Sequence, residues 1–85
     1  MEEKEIFEKV KDIIIKVLDA DEDKVLPESR IVDDFNAQSI DLITLVLEIE
    51  DEFGGHVNDE DIPGLSTVGD VVGYIKTKML TVSQS

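Results

Sequence analysis

The stretch Ser39-Ile40-Asp41-Leu42-Ile43-Thr44-Leu45-Val46-Leu47-Glu48-Ile49-Glu50-Asp51-Glu52-Phe53 decides the fold. Its spacing predicts a helix, and apolar residues cover more of its circumference than one buried face needs. Leu42, Val46, Ile49 and Phe53 gather on one side, while Ile40, Ile43 and Leu47 gather on nearly the opposite side. Both sides cannot face one small core. Burying the helix all round would bury Asp41, Thr44, Glu48 and Asp51 along with the second stripe, so that stripe is expected on the surface. An exposed apolar stripe bordered by carboxylates suits a partner whose groove is apolar at its centre and basic at its edges.

Working outward, Ile6, Val10, Ile13, Ile14 and Val17 predict a first helix from Glu3 to Leu18, with Asp12 and Lys16 spaced as a favourable ion pair. Between the two helices, Pro27, Ser29 and the Asp33-Asp34 pair break up the pattern, and Asp19 to Gln38 reads as a long packed loop. Loops beyond about 15 residues are uncommon in compact domains and tend to be functional. After the decisive helix, a short helical turn is expected from Asp59 to Pro63, capped by Asn58 or Asp59 and stopped by Pro63-Gly64. Thr67-Val68-Gly69-Asp70 then reads as a capping box, followed by a stripe of Val68, Val71, Val72, Ile75 and Met79. The expectation is an all-α four-helix bundle with a long loop between its first two helices and a short third helix. It forms one domain over residues 1–80, and residues 81–85 are a frayed tail.

Composition narrows the function. The chain has 85 residues, with 21 Asp and Glu against 8 Lys and Arg, a net charge of −13 with His56 neutral. Ile, Val, Leu and Phe make up 30 of the 85 residues, enough for so charged a chain to fold. Mutual repulsion predicts a stability that depends on salt. This acidity excludes nucleic acid and anionic membranes as partners and favours basic ones. With no Cys and one His, neither a thiolate nucleophile nor a metal centre is expected. Asp19-Ala20-Asp21-Glu22-Asp23 begins like a calcium loop, but Lys24 replaces the required Gly and Arg30 the bidentate Glu, so only weak divalent binding to the acidic surface is expected. The acidic N-terminus is no signal peptide and no apolar run reaches membrane length, which predicts a cytoplasmic protein, expected as a monomer.

Ser39 opens the decisive helix. Such a Ser commonly serves as an N-cap, and it lacks a base: His56 lies beyond the far end of the helix, about 17 residues or roughly 25 Å away. A catalytic Ser-His pair is not expected, nor is the chain expected to be an enzyme. If Ser39 reacts, another protein must activate it.

The run Asp33-Asp34-Phe35-Asn36-Ala37-Gln38-Ser39-Ile40-Asp41, leading into Leu45-Val46-Leu47-Glu48-Ile49-Glu50-Asp51-Glu52-Phe53, resembles the acyl carrier protein family. That family typically reads Glu-Asp-Leu-Gly-Ala-Asp-Ser-Leu-Asp, then an apolar helix ending in acids and Phe. Val57-Asn58-Asp59-Glu60 is similar to its Ile-Pro-Asp-Glu, Leu65-Ser66-Thr67-Val68 to its Ile-Thr-Thr-Val, and Tyr74-Ile75 to its Tyr-Ile, so the resemblance runs from about Glu5 to Lys78. It implies that Ser39 receives a 4′-phosphopantetheine arm from coenzyme A through a separate phosphopantetheinyl transferase, and that acyl groups ride on the arm as thioesters for fatty-acid or related acyl-processing enzymes. It further implies docking through Gln38, Ile40, Asp41, Ile43, Thr44, Leu47, Glu48 and Asp51, and an acyl-chain pocket of Val46, Ile49, Ile62, Leu65 and Val71. The chain departs from the family pattern at Asn36 for Gly, Gln38 for Asp, Ile40 for Leu and Thr44 for Glu. Those departures leave open a carrier dedicated to a specialised, polyketide-like or other secondary pathway. A non-carrier acidic helical adaptor docking through the same helix is the other alternative.

Overall fold

The first predicted stripe forms the inner face of α1 (Glu3–Leu18), where Ile6, Val10, Ile13 and Ile14 are buried and Val17 is half-buried. These positions come from the computed structural model, which describes residues 2–79; the expected frayed tail lies outside the described residues. Asp19, in the left-handed region at φ 54°, stops the helix.

The predicted Asp12–Lys16 pair is not what forms. Lys16 Nζ instead reaches Glu48 across to the next long helix at 3.0 Å, and Lys9 Nζ reaches Glu52 at 3.0 Å. The reason lies in that helix, α3 (Ser39–Phe53), which carries five acids and no base, so its compensating charge must come from α1.

The segment read as loop from Asp19 to Gln38 needs correction. It holds a 3₁₀ turn, Glu22–Lys24, and a five-residue helix, α2 (Ile31–Phe35). Ile31 buries itself, and the Asp34 carboxylate accepts the Arg30 N–H at 2.6 Å, which fixes the helix start. So short a helix shows no periodicity. Ser29 is the buried polar residue of this segment. Its hydroxyl donates to the Lys24 carbonyl at 2.6 Å and accepts the Leu26 N–H at 3.0 Å.

The same segment is strapped to the start of the last helix, α4 (Val68–Tyr74). The Val68 N–H donates to the Ser29 carbonyl at 2.9 Å, the Gly69 N–H to the Pro27 carbonyl at 2.7 Å, and the Ile31 N–H to the Ser66 carbonyl at 3.0 Å. Two of the orphan amides of a helix start are thereby satisfied. A Cβ at Gly69 would sit 3.0 Å from the Pro27 oxygen, so any larger residue would push this strap apart by a few tenths of an ångström. The predicted capping box is present: the Asp70 N–H donates to Thr67 Oγ1 at 3.0 Å, and the Thr67 N–H to Asp70 Oδ2 at 3.1 Å. α4 widens into a π-helical turn, Ile75–Met79, and Val68, Val71, Val72, Ile75 and Met79 are all buried.

The principal pairings are α1 with α4 and α1 with α3. Within α3, Leu45 and Ile49 are the buried residues, while Leu42, Val46 and Phe53 are half-buried. Leu45, placed on neither stripe by spacing alone, sits at the edge of the inner one and is drawn in by the packing of α1. Gly54, at φ 73°, ends the helix. The expected short turn is a 3₁₀ segment, Asp59–Gly64, with Asn58 at its N-cap position but no capping bond from its side chain. The described residues contain no strand.

Candidate functional site

The approach to Ser39 is set by backbone chemistry. Asn36 ends α2 in the left-handed region at φ 56°, which Asn tolerates better than other residues with a side chain, and Ala37 is buried beside it. Gln38, not Ser39, is the N-cap residue of α3, and its N–H donates to Asp41 Oδ2 at 3.0 Å. Ser39 is therefore the first helical residue and has no capping task. It is exposed, and its hydroxyl bonds to none of the described residues.

No base is at hand. His56 lies past the opposite end of α3, with its Nδ1 3.0 Å from Glu50 Oε2, an oxygen that also accepts the Val57 N–H at 2.7 Å. One turn along the helix from Ser39, Leu42 enters the wall of an apolar cavity. Val46, Ile49, Ile62, Leu65 and Val71 all line that cavity, whose volume is about 30 Å³. This is the room of one water-sized or methylene-sized group. An open groove bounded by Arg30, Val32 and Ser66 shares Leu42, Ile62 and Leu65 with the cavity.

The outer face of α3 is exposed as its pattern predicted: Ile40 at 68%, Ile43 at 57% and Leu47 at 60%. Those values exclude a helix buried all round. Its polar border is less available than the sequence implies. Asp41 is engaged by the Gln38 amide, Glu48 by Lys16, and Thr44 Oγ1 turns back to donate to the Ile40 carbonyl at 3.0 Å; Asp51 is exposed.

Sequence reasoning missed two features. Leu26 and Val32 are further exposed apolar residues in the segment read as loop, where no periodicity marks a face. Tyr74 on α4 is the second. Its hydroxyl donates to Asp61 Oδ2 at 2.8 Å and accepts the Asn58 N–H at 3.2 Å, joining α4 to the Asp59–Gly64 turn. Burial raises its pKa above 10.0, against a lowering from the Asn58 bond, and Asp61 raises it further. No local pattern signals such a contact. Among the described residues no group of His, Cys, Asp or Glu could hold a metal ion, and no helix is long and apolar enough to cross a membrane.

The exposed Ser39 hydroxyl, with no partner among the described residues and an apolar cavity a turn away, fits a phosphodiester-linked arm carrying an acyl chain. The comparisons agree with that chemistry. Residues 8–75 match the family model described as a phosphopantetheine attachment site. The chain is similar to the acyl carrier protein of Thermotoga maritima, 49% identical over 75 residues that cover 88% of this chain and 93% of that one. It is also similar to the acyl carrier protein of Lactobacillus acidophilus, 42% identical over 77 residues, 91% of this chain and 96% of the other. Among solved structures it resembles the acyl carrier protein of Enterococcus faecalis, with a TM-score of 0.75 and 44% identity, covering 88% of this chain and 95% of that one. A matching attachment-site model over most of the chain, close relatives aligned almost end to end and a shared helical fold lead to one conclusion: the chain belongs to the acyl carrier protein family, whose members hold acyl groups on a 4′-phosphopantetheine arm.

Proposed function

We propose that Ser39 is the residue that takes the arm, and that the loaded chain presents acyl thioesters to enzymes of fatty-acid type synthesis. The observation that carries this is the free Ser39 hydroxyl at the first position of α3, left unoccupied because Gln38 and Asp41 perform the capping. When attached, the arm supplies the thiol on which acyl groups ride. The chain's own residues orient and shelter the cargo; they do not catalyse, since the transferase activates the hydroxyl and the docked enzymes do the acyl chemistry. Tethering raises the local concentration of the acyl group at a docked enzyme, and weak docking allows handover.

Val46, Ile49, Ile62, Leu65 and Val71 form the pocket for the acyl chain in this reading. At about 30 Å³ the pocket is nearly closed, so a chain of several methylenes enters only as its walls part. Docking falls to Ile40, Ile43 and Leu47, with Gln38, Asp41, Thr44, Glu48 and Asp51 around them. The protein works as a cytoplasmic monomer, and residues 1–80 act as one domain. A second reading, a carrier for a specialised pathway, is favoured by one observation. Gln38 and Thr44 are neutral where the family usually places acids, and Thr44 is turned back on its own helix.

Incubation with coenzyme A, magnesium and a promiscuous transferase tests the assignment. Intact mass should rise by one phosphopantetheine group, and Ser39→Ala should abolish the gain while the circular dichroism spectrum is unchanged. A gain that survives Ser39→Ala would overturn the site. No gain at all would leave the adaptor reading.

A further inference from the structure

Ile62 occupies a singular place. It lines the apolar cavity, the groove shared with Arg30 and Ser66, and a third groove along the outer face of α3 beside Ile43, Leu47 and His56. Together with Leu65 it is the part of the cavity wall that lies outside the α-helices, the rest coming from α1, α2, α3 and α4. Both belong to the Asp59–Gly64 turn or the residue that follows it, and this turn enters neither of the principal helix pairings, α1 with α4 and α1 with α3. Ile62 and Leu65 are only half-buried, and the turn has short-range bonds of its own, Asp61 N–H to the Asn58 carbonyl and Leu65 N–H to the Ile62 carbonyl. Its side-chain tie to the bundle is the Tyr74 hydroxyl, which holds the first residues of the turn from two directions: it donates to Asp61 and accepts from the Asn58 amide. Asp61 stands immediately before Ile62.

We propose that this contact is the latch of the cavity, with Tyr74 as a positioning residue that sets how far the Ile62 wall yields to a bound chain. The inference rests on the reading of the cavity as the acyl-chain pocket. A short acyl group leaves the wall where it is and does not sense the latch. A long one must displace Ile62 and strains the Tyr74–Asp61 bond. Tyr74→Phe keeps the ring that packs in the bundle and removes only the hydroxyl, so it lowers the energy of parting the wall without emptying the core.

The test uses holo-protein loaded with butyryl, octanoyl or myristoyl groups and measures cleavage of each thioester by hydroxylamine, which attacks the fraction whose chain is outside the cavity. In Tyr74→Phe the myristoyl thioester should be cleaved more slowly than in the wild type, by between about twofold and tenfold, the population change that one net hydrogen bond produces. The octanoyl thioester should show a smaller effect and the butyryl thioester none. Asp61→Ala breaks the same bond from the turn and should reproduce that chain-length dependence even if the Tyr74 variant folds poorly. Equal rates in wild type and both variants at every length would overturn the latch, as would one uniform change that includes the butyryl form. The methyl resonances of Val46 and Val71 separate this from the underlying reading. If they shift on myristoylation of the wild type, the chain is in the cavity and the rate data judge the latch alone; if they do not, the pocket assignment itself fails and the latch with it.

Discussion

The Asp41 carboxylate accepts the backbone N–H of Gln38 at 3.0 Å, closing the first turn of α3 around Ser39, the residue proposed above to take the arm. Removing this cap by Asp41→Ala should lower stability by about 1 kcal/mol, the usual effect of losing an N-terminal cap. The urea midpoint should fall with the slope of the transition unchanged. An unaltered midpoint would mean that the exposed bond contributes nothing.

Gln38 occupies the N-cap itself, where Asp is among the preferred residues and Gln is not. Gln38→Asp should raise the melting temperature by the equivalent of about 0.5 to 1 kcal/mol through the cap and the helix dipole. It should also raise kcat/KM with a generic transferase several-fold, with a gain that shrinks as salt is added. A lower rate with the chain's own transferase would identify Gln38 as a specificity element and favour the specialised-pathway reading.

Leu45 and Leu47 stand two residues apart on α3, one 4% and the other 60% exposed. Leu45→Ala should cost about 2 to 5 kcal/mol, whereas Leu47→Ala should change stability by less than about 0.5 kcal/mol. Leu47→Ala should nonetheless weaken acyl transfer to docked enzymes. Thermal melts of both variants, with transfer kinetics for Leu47→Ala, check the contrast; a large loss of stability at Leu47 would place it in the core.

Tyr74 gives the stability a sensitivity to alkali. Because its folded pKa lies above the ordinary 10.0, the folded state keeps a proton that the unfolded chain releases. Its contribution is present in full below the unfolded value and is lost as pH rises through the folded one. Urea midpoints should therefore decline more steeply above pH 10 in the wild type than in Tyr74→Phe, which retains the lysines but not the phenol. Parallel curves would show that the hydroxyl is equally acidic folded and unfolded.

The parts of this architecture that could be read from residue order are those with a repeating physical cause. Ile6, Val10, Ile13 and Ile14 recur at helical spacing because one face meets the core, and Thr67 with Asp70 announces a helix start because both partners lie within one turn. Ile40, Ile43 and Leu47 were legible as exposed because their carboxylate neighbours could not be buried with them. What escaped depends on contacts between distant residues or on very short elements. α2 is shorter than the period that would reveal it, and Lys16 chose Glu48 over Asp12 only because α3 packs alongside α1. The helix begins at Ser39 as its spacing implied, but the release of the Ser39 hydroxyl from capping follows from Gln38 taking the N-cap, a distinction between cap and first helical residue that spacing does not resolve. The bond between Tyr74 and Asp61 leaves no trace in any local pattern.

The strap between the backbone around Pro27 and Ser29 and the start of α4, built from the Ser29 and Pro27 carbonyls and the Val68 and Gly69 amides, also bears on how the chain comes to be folded. With its π-helical turn α4 runs over residues 68–79, only at the bottom of the roughly 12 to 15 residues at which isolated helices become even marginally stable, so it depends on packing for its stability in water. Its first turn is completed by carbonyls that precede their partners by 39 residues (Ser29 to Val68) and 42 residues (Pro27 to Gly69). Maturation of the C-terminal third is thus conditional on a long-range closure, the kind of non-local contact that slows folding relative to a bundle of neighbouring hairpins. The expectation is that the last helix forms late in folding, and that the part of the cavity wall supplied by its Val71 is completed with it.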